Sequence, residues 1–177
     1  MTVQWAKRSQ LREDTGFGLV EVIIAMTVLA IGILALFAMF ESGIRQISRA
    51  STVTTAAALA DREMESFVAI RYDSIGLPES LVTTAAAPYS SDPAYQASSS
   101  SRVGLGACGT APCTTKVPVQ TLTGADGRSY RVDTYVTWHS VAGGRNVKRV
   151  TLVVRDVPNP AKVWARTTST FDESTGQ

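Results

Sequence analysis

The chain has 177 residues, with 17 Lys and Arg against 15 Asp and Glu and a net charge of +2. That length suffices for one modest domain with its own core. No Lys/Arg cluster recurs on a helix face with interleaved aromatics, so no nucleic-acid partner is expected. Two cysteines and one histidine, Cys108, Cys113 and His139, fall short of the four ligands of a structural zinc site, and neither a metal nor a cofactor is expected.

Residues 1–16 are polar and carry Lys7, Arg8 and Arg12, then Glu13-Asp14-Thr15-Gly16. Phe17-Gly18-Leu19-Val20-Glu21 follows, then an uncharged block from Val22 to Phe40. As a helix rising 1.5 Å per residue that block spans about 28 Å, close to the hydrocarbon thickness of a bilayer. Basic residues precede it, which keeps residues 1–16 cytoplasmic and sends the C-terminal part outward. A secretory signal peptide fits poorly, because its apolar region is shorter and ends in a small-residue cleavage site. The sharpest polar-to-apolar boundary here lies at Gly16/Phe17. Glu21 stands just inside the apolar segment, where a carboxylate costs about 2.5–3.5 kcal/mol at the membrane centre and less near the interface. On charge placement alone it reads equally as a functional carboxylate or as an interfacial one favoured by the helix N-terminal dipole.

The local sequence breaks the tie. Gly16-Phe17-Gly18-Leu19-Val20-Glu21-Val22 resembles the prepilin processing site of type IV pilins and type II secretion pseudopilins: a short basic leader, Gly before Phe, Glu at the fifth mature position, and a long apolar run. Val28 to Ala35 is similar to the minor-pilin version of the segment, and the direct resemblance covers residues 7–72. It implies cleavage between Gly16 and Phe17 by a membrane prepilin peptidase, N-methylation of Phe17, and a Glu21 that faces the N-terminal ammonium of a neighbouring subunit during assembly. It also implies other pilin subunits, an inner-membrane assembly platform and, before assembly, membrane lipid as partners. Major pilins of the family often carry a mid-helix proline; Ala38 stands at the corresponding position, which favours a minor pilin or pseudopilin.

The expected organisation is a leader at 1–16, a transmembrane and filament-core helix at 17–40, and an amphipathic continuation at 41–76. In that continuation Val53, Ala56, Leu59/Ala60, Met64, Phe67 and Ile70 recur at helical spacing. Gly76 and Pro78 end it. Residues 77–116 read as a long, variable loop region rich in Ala-Pro, Asp-Pro and Ser. An even cysteine count in an exported chain favours a Cys108–Cys113 disulfide over two free thiols. Strands are expected at Val117–Leu122, Ser129–His139, Asn146–Asp156 and Lys162–Phe171, joined by short turns as an antiparallel meander at 117–171, with a tail at 172–177. The fold class is therefore α+β and pilin-like: a long N-terminal helix packed on a C-terminal antiparallel sheet.

Gly104-Leu105-Gly106-Ala107-Cys108-Gly109 matches a nucleotide-loop spacing, but no strand-to-helix context surrounds it and Pro112 intrudes. His139 sits at a strand end, and Trp138, Trp164 and Tyr135 read as packing residues. No enzyme is expected. The leading reading is a structural subunit of a type IV pilus-like filament, a minor pilin involved in pilus assembly or priming. The alternatives are a type II secretion pseudopilin and a single-pass anchored, adhesin-like ectodomain. The expected location is the inner membrane, then a cell-surface pilus or periplasmic pseudopilus.

Overall fold

The computed structural model describes residues 18–107, 113–140 and 144–173. The chain divides into two units, residues 1–46 and 47–177, and the first helix, α1 (Leu19–Val68), contributes to both.

Within the second unit α1 buries Thr52, Ala56, Leu59, Ala60 and Phe67, a stripe at three-, four- and seven-residue spacing. Thr52, not the expected Val53, holds the stripe position; Val53 is exposed. The helix stops at Val68, short of Gly76, and a 3₁₀ turn at Tyr72–Ser74 follows.

The sheet is an antiparallel meander in the order β4 (Val119–Thr123), β5 (Ser129–Ser140), β6 (Asn146–Asp156), β7 (Val163–Phe171), so the α+β architecture expected above is the one found. Gly127 closes the β4–β5 turn at φ 74°, a conformation that favours glycine. Even-numbered side chains of β5 face α1. Gln120, opposite Val132, donates to Glu63 at 3.0 Å. Lys148, opposite Trp138, donates to the carbonyls of Tyr72 at 2.7 Å and Ile75 at 3.0 Å.

The other face of the sheet is covered as well. Asp133 and Tyr135 are buried like their even-numbered neighbours. The cover comes from residues 77–107, which hold more structure than their loop composition implies: a short helix α2 (Glu79–Thr84), a 3₁₀ turn (Ser99–Ser101), and β1 (Leu77–Pro78) paired parallel with β2 (Gly104–Ala107), which in turn pairs with β3 (Cys113–Thr114). Tyr89 anchors this strap. Its ring stacks on Tyr135 at 4.4 Å, its hydroxyl donates to the Thr134 carbonyl at 2.8 Å, and its carbonyl accepts from the Tyr135 hydroxyl at 3.1 Å. Burial pushes both tyrosine hydroxyls well above their ordinary pKa.

A second anchor is ionic. Arg131 and Arg155 lie directly opposite each other on β5 and β6, a like-charge pairing that is unfavourable by itself. Asp133 resolves it, accepting from Arg131 Nε at 2.7 Å and from Arg155 Nε at 2.8 Å. Asp92 of the strap then takes the far side of Arg155 and also accepts from Arg166 of β7 at 2.7 Å. Two carboxylates thus bind three guanidinium groups between strap and sheet, where an unpaired charge would be costly. Further along, Arg102 pairs with Glu79 and donates to the carbonyls of Gln96 at 2.7 Å and Ala97 at 2.8 Å.

Candidate functional site

Among the described residues the first unit contains the N-terminal part of α1. Its first turn closes when the Glu21 and Val22 amides donate to the Gly18 carbonyl at 2.9 and 3.2 Å. Glu21 is the acidic residue of that turn, where its charge opposes the unsatisfied amides of the helix start. Its side chain is exposed, and none of the ion pairs among the described residues includes it.

From Leu19 to Phe40 every large apolar side chain is exposed, Leu29 at 63%, Ile31 at 67% and Phe37 at 68% among them. The apolar residues lie on all sides of the helix, so no polar face is left for water. A helix of this kind is stable only inside another apolar medium. Each such side chain gains about 1.5–3 kcal/mol on leaving water. The single polar side chain between Val22 and Phe40 is Thr27, and its hydroxyl donates within the helix to the carbonyls of Ile23 at 3.0 Å and Ile24 at 2.7 Å. The segment therefore carries no unsatisfied side-chain donor into lipid. Glu41 and Arg45, one turn apart, form an ion pair where the apolar block ends. By length and composition α1 can cross a membrane, which with its place near the N-terminus suggests a single-pass anchor.

Of the residues singled out from the sequence, Glu21 lies in α1 and Cys113 in β3. Gly16, Phe17 and Cys108 lie outside the described residues, so cleavage, methylation and the disulfide remain proposals. His139 is half-buried on β5, opposite Val147, and Gly104–Ala107 forms β2 rather than a phosphate loop. Sequence reasoning missed Tyr89 and Asp92, the two residues that fasten the strap. The available signal was the pair of arginines at 131 and 155, which needed anions beyond those on their own strands.

Residues 11–37 match the family model described as the prokaryotic N-terminal methylation motif. Together with the long apolar helix, that match fits a type IV pilin family and supports a pilin- or pseudopilin-like protein. Such a motif implies processing by a prepilin peptidase and assembly with other pilins, and it points to a structural subunit rather than an enzyme. No curated protein and no solved structure matches the chain at a significant level.

Proposed function

We propose that the chain is a minor subunit of a type IV pilus-like filament that takes part in assembly or priming. Prepilin peptidase cuts between Gly16 and Phe17, Phe17 is N-methylated, and α1 leaves the bilayer for the apolar core of the filament. The observation that carries this reading is the all-round apolar, unburied surface of α1 from Leu19 to Phe40, which lipid satisfies before assembly and neighbouring helices satisfy afterwards. Glu21 then meets the Phe17 ammonium of an adjacent copy or related pilin. Both charges lie in low dielectric, so each is expensive alone and the pair fixes subunit register. A Cys108–Cys113 disulfide closes the strap after β2. A pseudopilin of a type II secretion system would use the same helix chemistry.

Mass spectrometry of the mature protein should find methylated Phe17 as its first residue. Glu21→Ala should be cleaved normally yet enter filaments poorly. Recovery of an intact Met1 start in cells with active prepilin peptidase would refute the processing, and normal incorporation of the Glu21→Ala chain would refute the pairing. Retention of residues 1–16 with no self-association would leave a single-pass anchored binding module.

A further inference from the structure

At the end of the sheet away from the β4–β5 turn, an open cleft of about 580 Å³ lies between the 3₁₀ turn at Tyr72–Ser74, the strap, Trp138 of β5 and Lys148 of β6. Its volume falls within the range of small-molecule sites, about 300–1,000 Å³. Trp138 is 39% exposed, and its indole N–H makes no hydrogen bond among the described residues. Lys148 is buried and holds the aromatic lining in place, its Nζ lying 4.4 Å from the Tyr72 ring centroid and 5.7 Å from that of Trp138. The Tyr72 and Ile75 carbonyls take two of its three N–H bonds. Acceptors lie beside these donors. Glu79 gives Oε1 to Arg102, while Oε2 receives no hydrogen bond among the described residues. A Cβ on Gly104, which also lines the cleft, would stand 3.0 Å from that open oxygen. Asp73 is exposed, and its contact with Arg71 is a long one at 3.9 Å.

The lining is thus balanced in charge, Lys148 and Arg102 against Asp73 and Glu79, so it draws neither an anion nor a cation strongly. It offers open donors and open acceptors side by side, next to an indole that the fold leaves partly bare. A hydroxyl group donates one hydrogen bond and accepts two, so a polyol meets both kinds of partner without bringing a charge. A pyranose ring adds a face lined by C–H bonds, which suits the negative face of an indole. We propose that this cleft binds a neutral saccharide, one sugar ring stacking on Trp138 while its hydroxyls donate to Asp73 and Glu79 Oε2. Trp138 supplies the contact area, the two carboxylates select the ring orientation, and Lys148 acts as a positioning residue that fixes the aromatic lining. The site belongs to the second unit alone and therefore adds a surface ligand to the subunit without using the helix chemistry of assembly.

The test uses the full-length chain in a detergent without a sugar headgroup. The probes are the methyl glycosides of glucose, galactose, mannose and N-acetylglucosamine, with acetate, tetramethylammonium and trialanine as the charged and peptide alternatives. Saturation-transfer NMR should show transfer to the ring protons of at least one glycoside, and titration should give a saturable millimolar affinity. Trp138→Leu should weaken that affinity at least tenfold. Asp73→Ala, a change on an exposed turn that leaves the packed core untouched, should weaken it severalfold with an unchanged thermal midpoint. Absence of transfer to all four glycosides would overturn the proposal. So would equal binding by the unmodified, Trp138→Leu and Asp73→Ala chains, or saturable binding of acetate, tetramethylammonium or trialanine in place of the sugars. Any of these results removes the saccharide site and leaves the subunit reading, which rests on α1, in place.

Discussion

Asp92→Ala removes one carboxylate from the buried ionic anchor between strap and sheet. The Asp92 side chain is 2% exposed and that of Arg155 is 5% exposed, so the arginine cannot turn to water once its partner is gone. Truncating one member of a buried pair costs about 3–5 kcal/mol. Arg155 keeps its 2.8 Å bond to Asp133 and a 3.1 Å bond to the Pro160 carbonyl, which places the expected loss near the lower limit, about 3 kcal/mol. For a unit of this size that is a fall in Tm of roughly 10 °C. Urea and thermal unfolding of the detergent-solubilised full chain, followed by tryptophan fluorescence, would measure it. The pH dependence is a second readout. Burial by itself raises the Asp92 pKa, but the Arg166 hydrogen bond, the Ala94 amide and the charges of Arg166 and Arg155 outweigh it and hold the carboxyl below its ordinary value. The unfolded chain therefore takes up the proton first. The stabilisation is complete above about pH 3.9, the unfolded value, and is lost as pH falls through the depressed folded value. Asp92→Asn should lack that acid-side step. A loss below about 1 kcal/mol, within the range of an exposed pair, together with an unchanged acid limb, would refute the assignment of the strap's hold to these charges.

Three further outcomes are expected. Gly124→Ala places a Cβ 2.7 Å from both Thr55 Cγ2 and Tyr130 Cε2, and this overpacking should cost about 1–3 kcal/mol in urea unfolding; a neutral result would mean that α1 and the β4–β5 turn are not held against each other. Lys148→Met leaves the Tyr72 and Ile75 carbonyls without their donor, for a loss of about 1–3 kcal/mol, and faster hydrogen exchange at residues 69–76 should accompany it. Ile31→Lys puts a charge near the middle of the apolar block at about 2.5–3.5 kcal/mol, so membrane fractionation should find the variant depleted from the bilayer; an undiminished membrane fraction would argue against a spanning α1.

The apolar helix was legible because its signal is compositional: one uncharged block with a carboxylate at its border needs no tertiary knowledge. The meander was legible because period-two alternation in Tyr130, Val132, Thr134 and Val136 fixes a strand and its inward face. The strap was not. Its Ser, Pro and Ala composition carries no periodicity, and it is held by single residues, Tyr89, Asp92 and Arg102, whose partners lie far away in sequence. For the same reason alternation gives no sign that Asp133 is buried, since it presumes one wet side and the strap makes both sides dry. The Val53 position failed for a smaller reason: Thr52 returns its hydroxyl to the Ser48 carbonyl at 3.0 Å, which lets a polar residue take the packed site.

Because the strap is riveted to the sheet by an aromatic stack and a shared set of charges, it does not behave as an exchangeable cassette. A chimaera that swaps in residues 85–102 from another subunit would have to bring equivalents of Tyr89 and Asp92, or have Tyr135, Asp133 and Arg155 redesigned with it. Sequence diversification is cheap only between Asp92 and Arg102, around the exposed residues Ser98–Ser100, which makes that short stretch the natural place for an inserted epitope tag.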